Sequence, residues 1–177
     1  MSDRTRWLLD KSVIRRYFEG VSALARDQVL TEEQQQAVIL VHLAPQMDGR
    51  LFISQEAFNL LRAHSYELAP GESLMFLRRV EILYPARYFK RWARRLRQRT
   101  FTREDAKVLA LGSFGTDAAG KILGVDIIVT LDRAMLRKWR GDATLIADHL
   151  LAMVTSLQTP YTLARLPRVQ LPGATDR

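Results

Sequence analysis

Apolar residues fall along this chain in short dense runs, separated by longer stretches of helical spacing. Trp7, Leu8 and Leu9 run straight into Asp10, and Ile127 to Leu131 is bracketed in the same way by Asp126 and Asp132. The length and composition of these runs mark strands buried on both faces. Leu51, Phe52 and Ile53 predict another strand, and Val80 to Tyr84, ended by Pro85, a fourth. Between them, Val13, Ile14, Tyr17, Phe18, Val21 and Leu24 have the spacing of a helix over Lys11 to Leu24, with Gly20 as its weak point. Thr31 and Gln34 form a capping box that opens a second helix through Leu43, closed by Ala44-Pro45 and the polar turn Gln46 to Arg50. Ser54 can cap a third helix that carries Glu56 in its first turn, the Pro-Gly pair makes Ser65 to Gly71 a loop, and Glu72 to Arg79 is helical.

The stretch from Thr102 to Leu136 reads as helix, loop, buried strand and helix, its loop carrying Gly112, Gly115, Gly120 and Gly124. Ile146, Leu150, Met153 and Leu157 mark one more amphipathic helix. Strands alternating with helices predict an α/β protein, a three-layer α/β/α sandwich around a central, mainly parallel sheet of four to five strands. A single domain is expected over residues 1–177, with its core at about 6–157 and a tail at about 158–177. In that tail Pro160, Pro167 and Pro172 permit at most an edge strand around Val169.

Such a sheet gives the acidic residues a common address. Asp10 follows the first strand, Glu56 sits at the second strand-to-helix turn, Asp105 starts the central helix and Asp132 follows the strand Ile127 to Leu131. All four fall near the carboxyl edge, where open α/β sheets bind ligands. Each has a structural alternative: Asp10 and Asp132 as helix caps, Asp105 in a capping box with Thr102, Glu56 as a helix-dipole complement. Taken together, a carboxylate cluster repels itself unless cations occupy it. The chain has no cysteine, which excludes disulfides, zinc ribbons and thiol catalysis, so any metal is held by oxygen or imidazole. Mg²⁺ or Mn²⁺ suits an all-oxygen site and pairs with phosphate substrates.

Charge supplies the complementary feature. Lys and Arg number 27 against 19 Asp and Glu, a net charge of +8, which favours a polyanionic partner. The excess is concentrated: seven of the thirteen residues from Arg87 to Arg99 are basic and none is acidic. Phe89, Trp92, Ala93 and Leu96 form the apolar face of this predicted helix, while Arg87, Lys90, Arg91, Arg94, Arg95 and Arg97 lie on the other. Guanidinium groups grip phosphates in two-pronged fashion, and the flanking Tyr84, Tyr88 and Phe101 offer stacking surfaces for unpaired bases. The bland alternative is a solvated helix face.

The segments LLDKSVI, ISQEAFNLL, TREDAKVLALGS and VDIIVTLDRAML, spread from Arg6 to about Leu157, resemble the PIN domain, a nuclease family that includes the VapC-type toxin ribonucleases. The resemblance rests mainly on Asp10 with Ser12, on Asp105-Ala106, and on Thr130 with Asp132. It implies a metal-dependent ribonuclease acting on single-stranded RNA. Asp10, Glu56, Asp105 and Asp132 would be the Mg²⁺ or Mn²⁺ ligands, and Ser12 and Thr130 the supporting hydroxyls. Glu19 and Glu67 are alternatives to Glu56, because the family's second acid lies in a variable region. The loop Ser113 to Gly124 stretches the spacing between Asp105 and Asp132, no further acid follows Asp132, and the chain is larger than the compact toxins.

A catalytically weak RNA-binding or protein-interaction module built on the basic helix is the alternative expectation. An acidic protein partner such as an antitoxin, and a homodimer, are compatible with either. GTDAAGKI, Gly115 to Ile122, resembles a phosphate-cradling loop but lacks the Ser or Thr that would reach Mg²⁺, and Asp117 would sit inside the cradle. His42, His64 and His149 are scattered, and His149 is expected to pack rather than catalyse. With no apolar run long enough to span a bilayer, and no signal-peptide pattern in MSDRTRW, no membrane association and a cytoplasmic location are expected.

Overall fold

The computed structural model describes residues 4–63 and 70–174. Its sheet contains β1 (Thr5–Leu9), β2 (Gly49–Ser54), β3 (Val80–Pro85), β4 (Gly115–Thr116), β5 (Ile127–Val129) and β6 (Arg168–Gln170), in the spatial order β4-β3-β2-β1-β5-β6. Every neighbouring pair is parallel except β3 with β4. The helices are α1 (Lys11–Leu24), α2 (Glu32–Leu43), α3 (Gln55–Ala63), α4 (Pro70–Arg79), α5 (Phe89–Gln98), α6 (Arg103–Phe114), α7 (Arg133–Gly141) and α8 (Ala143–Val154).

Alternation along the strands builds the three layers. Leu9, Leu51, Ile53, Ile127 and Val129 point to one face and pack with residues of α1, α2, α3 and α4, including Tyr17, Val41, Ala57 and Phe76. Leu8, Phe52, Leu83, Ile128 and Val169 point to the other, beneath Trp92 and Leu96 of α5, Leu109 of α6, Trp139 of α7 and Ile146 of α8. The apolar runs are therefore buried on both sides, as a parallel sheet requires. Thr31 and Gln34 complete their capping box, and Ser54 Oγ accepts the Ala57 N–H. At Gly20 an added Cβ would meet Val38 Cγ2 at 2.9 Å, so the predicted weak point is where α1 and α2 approach closely.

The sheet has six strands rather than four to five: the edge strand expected around Val169 is present, and the one unforeseen strand comes from the glycine loop. The helix α6 continues through Gly112 to Phe114, and the next two residues pair as β4, shortening the predicted loop. The tail contributes β6 at the opposite edge, with Val169 buried against the core. Pro70 and Gly71 begin α4 instead of ending a loop, and the remainder of that predicted loop, with His64 and Glu67, lies outside the described residues. Strand β5 stops at Val129, which frees Thr130 and Leu131 to turn toward the site.

Asp126 ties β1, β5 and the tail together. Its carboxylate accepts hydrogen bonds from the Arg6 backbone N–H at 2.8 Å, from Arg6 Nε at 3.1 Å and Nη2 at 3.2 Å, and from Arg165. Burial pushes the Asp126 pKa up, but the bonds and charge of Arg6 and the charge of Arg165 outweigh it and hold it below the ordinary aspartate value. A depressed folded-state pKa confers stability that is fully present above the ordinary aspartate range, about pH 4. That stability is lost as pH falls through the lowered value. Asp126→Asn is accordingly expected to flatten the acid limb of a plot of urea midpoint against pH, and an unaltered limb would remove Asp126 as its source.

Candidate functional site

The chain moves outward from β1 through β2 to β3, then returns on the other side with β5 and β6. The reversal falls between β1 and β5, and the crevice at their carboxyl ends is the usual ligand site of such sheets. Asp10 leaves β1 at this point and Thr130 leaves β5, stitched by the Asp10 N–H bond to the Val129 carbonyl at 2.9 Å.

Two hydroxyls complete the stitch. Ser12 Oγ donates to Asp10 Oδ2 at 2.6 Å and accepts the Leu131 N–H at 3.0 Å. Thr130 Oγ1 donates to the same Oδ2 at 2.9 Å and accepts the Asp132 N–H at 3.0 Å. Each hydroxyl proton is thus committed to Asp10, and among the described residues Asp10 Oδ1 takes no hydrogen bond. Asp10 is not spent as a cap: its side chain makes no capping bond to α1. Thr130 is fully buried, and Thr130→Val strips a donor from Asp10 and an acceptor from the Asp132 N–H. The expected loss is about 1–3 kcal/mol in chemical denaturation, largely restored by Thr130→Ser. Equal stability in all three proteins would show that the hydroxyl lattice carries no weight.

A cavity of about 250 Å³ opens beside Asp10, and its lining includes Lys11, Glu56, Glu104, Asp105 and Lys107, with an apolar wall that includes Leu83, Phe89, Leu111 and Met135. Four carboxylates thus face two ammonium groups. Lys11 Nζ bonds Glu56 at 2.9 Å and Glu104 at 3.4 Å, and Lys107 Nζ lies 3.0 Å from Glu104 and 3.7 Å from Glu56, closing a ring of alternating charge. Burial opposes the Lys11 ammonium, but Glu56 and Glu104 outweigh it and raise its pKa. The hydrogen bond from Lys107, with the charges of both lysines, holds Glu104 below the ordinary glutamate value. Asp10 and Asp105 have no cationic partner among the described residues and leave two negative charges uncompensated in the cavity.

The structure therefore brings Asp10, Glu56 and Asp105 to one cavity and keeps Asp132 out of its lining. Asp132 is exposed and caps α7, its Oδ1 accepting the Ala134 and Met135 N–H groups at 2.9 Å. The Asp105 backbone N–H is capped by Thr102 Oγ1 at 3.1 Å, which leaves its carboxylate available. Glu19 is paired with Arg15 and Arg16 and belongs to a larger depression of about 760 Å³ whose lining includes residues of α1 and α3. Among the described residues, no three acidic or histidine side chains stand together as a ready-made metal cage. The acids of the cavity offer only oxygen donors, the kind that hard dications take, and they exceed its two lysines by two negative charges. Lys11, Glu104 and Lys107 went unassigned in the sequence, although Lys11 adjoins Asp10 and the i,i+3 spacing of Glu104 and Lys107 puts them on one helix face.

The basic stretch lies against this cavity. Phe89, the first residue of α5, lines it, and Trp92 and Leu96 bury the helix against the core. Arg87, Lys90, Arg91, Arg94 and Arg97 are exposed and make no ion pair among the described residues. Arg95 departs from them: it is half-buried and reaches the His149 carbonyl at 3.4 Å, while Arg99 bonds His149 Nε2 at 2.8 Å. His149 thereby packs α8 on α5. Phe101 is also withdrawn from any stacking role, being buried against Trp139 with Lys138 over its ring. The glycine loop closes on itself, since Asp117 Oδ1 accepts the Lys121 N–H at 2.8 Å and Oδ2 pairs with Arg50, so its amides hold the chain's own carboxylate.

Compared with known proteins, the chain matches no family model and no curated sequence. Fold and site alone define its class: a three-layer α/β/α protein with a charged cavity at the carboxyl ends of β1, β2 and β3 of a mostly parallel sheet. Among the described residues, no helix is long and apolar enough to cross a membrane.

Proposed function

We propose that the protein is a metal-dependent endoribonuclease of the PIN type, hydrolysing phosphodiester bonds of single-stranded RNA in the cytoplasm. The observation that carries this reading is the placement of Asp10 and Asp105, both uncompensated, in one cavity at the carboxyl edge of the sheet, bordered by a ridge of unpaired cations. Asp10 and Asp105 would hold Mg²⁺ or Mn²⁺, with Glu56 and Glu104 held nearby by their lysines. When bound, the ion would supply a nucleophilic water and offset charge on the leaving oxygen. Ser12 and Thr130 fix the Asp10 carboxylate with one oxygen left over for the ion. Lys11 and Lys107 keep the cavity from repelling a polyanion, and Arg87, Lys90, Arg91, Arg94 and Arg97 attract and align the strand. The test is a Mn²⁺ titration of cleavage in a mixed RNA pool, with and without Asp10→Asn.

The ring of lysines and glutamates favours a second reading, because Glu56 and Glu104 already have cations. In it the same fold grips RNA or an acidic protein through α5 without efficient cleavage. Steeply salt-dependent binding that survives loss of Asp10 and of metal would select this reading.

A further inference from the structure

Immediately outside the acidic cavity, Pro85, Ala86, Arg87, Tyr88, Phe89, Lys90 and Arg91 line a separate depression of about 450 Å³. Pro85 and Phe89 belong to both hollows, so the two adjoin. Three features set this depression apart from the rest of the basic ridge.

The first is charge. Arg87, Lys90 and Arg91 bring three cations to it, and its lining contains no acid. The second is a planar platform. The Arg87 guanidinium lies over the Tyr88 ring, 5.1 Å from its centroid. That ring is braced edge-on by Tyr161 at 5.1 Å and by Phe114 at 6.4 Å. A guanidinium stacked on a fixed ring loses freedom and presents its outer plane as a shelf, the surface on which unpaired bases stack in single-strand recognition. The third is backbone strain at the same residue. Tyr88 has φ 70°, a left-handed conformation that bulky residues avoid, and it is held there at the start of α5. Strain of this kind persists where the surroundings over-determine it, and it gathers at binding sites.

We infer that this depression is a nucleotide subsite: Arg87, stacked on Tyr88, receives an unpaired base of the substrate strand next to the phosphodiester held at Asp10 and Asp105, while Lys90 and Arg91 take the adjoining phosphate. The inference rests on the ribonuclease reading and adds to it a reason for single-strand preference, since a base within a duplex is already stacked and paired and cannot enter.

The experiment measures fluorescence anisotropy of a labelled short oligouridylate, and of a labelled RNA duplex, in EDTA so that no cleavage intervenes. Arg87→Gln and Arg87→Lys are both expected to weaken the single strand on the order of ten-fold, the scale of one lost stack. Duplex affinity should change less than about two-fold in Arg87→Lys, which keeps the charge but not the plane. Wild-type binding by Arg87→Lys, or equal losses for single strand and duplex, would overturn the subsite by reducing Arg87 to one more point charge. If Arg87 variants bind normally while Asp10→Asn abolishes cleavage, the subsite fails and the nuclease reading stands. If the wild-type protein does not hold the single strand at all, both fall together.

Discussion

Asp10→Asn is expected to abolish Mn²⁺-dependent cleavage of single-stranded RNA, a loss beyond the roughly hundred-fold that removing an outer-shell partner of a metal causes. The substitution is isosteric, and the asparagine oxygen can still accept from Ser12 and Thr130, so the lattice joining β1 and β5 has its acceptor. What disappears is the charge. With Asp10 neutral, the cavity keeps a single uncompensated carboxylate, Asp105, and half of its attraction for a dication. Urea denaturation should therefore show a cooperative transition near that of the wild type, while the metal titration shows no saturable activity. Asp105→Asn is expected to behave alike. Asp132→Asn provides the contrast, because asparagine caps a helix as well as aspartate does. If Asp132 serves α7 alone, that variant retains both activity and stability. Cleavage unchanged in Asp10→Asn and Asp105→Asn would end the nuclease assignment.

The second large effect concerns the fold itself. Gly124→Ala is expected to cost about 2–4 kcal/mol, combining left-handed backbone strain with overpacking. Gly124 has φ 71°, and a Cβ there would lie 2.6 Å from the Gly112 carbonyl oxygen and 2.9 Å from that of Ser113. Those backbone atoms end α6 and cannot rotate away. Gly124 N–H also bonds the Gly115 carbonyl at 2.8 Å, and Val125 N–H the Gly112 carbonyl at 2.8 Å, so the residue delivers the chain from the glycine loop into β5. Gly120→Ala separates the two contributions. It has φ 67° but nothing within 4 Å of its added Cβ, so only the conformational part, about 1–2 kcal/mol, is expected. Denaturation curves of the two variants that coincide would show that the Gly124 contacts do not hold the loop.

This return path explains why the stretched spacing between Asp105 and Asp132 does little to the site. The loop folds back on the end of α6 instead of separating α6 from β5, and Asp105 stays at the cavity at the other end of the helix. Asp132 is placed by β5 and spent on α7. Its sequence setting, an acid at a strand exit before a helix, is that of Asp10, yet the two side chains do different work. At Asp10, Ser12 and Thr130 supply donors that hold the carboxylate. At Asp132, Thr130 is already committed, and the free amides of α7 are the nearest donors.

By itself, the sequence determined the helices, the long strands and the α/β class. These depend on local periodicity and capping, and Thr31, Ser54 and Thr102 mark their helix starts with side chains that bond within three residues. It also determined that Asp10 and Glu56 reach the carboxyl edge, since each closely follows a strand, whereas Asp105 opens a helix that follows a helix and reaches the same cavity through the packing of α6. Only the tertiary structure decided which partners meet there. The alternating ring joins Lys11 to Glu56, 45 positions away, and to Glu104, 93 away, and no short-range pattern encodes such a meeting. The same holds for Phe101, which periodicity leaves open and Trp139 buries, and for Arg95 and Arg99, which belong to the basic stretch but hold His149. Periodicity sets which face of an element is apolar. The approach of elements distant in sequence sets which charges on the polar face are neutralised and which, like Asp10 and Asp105, are left for a ligand.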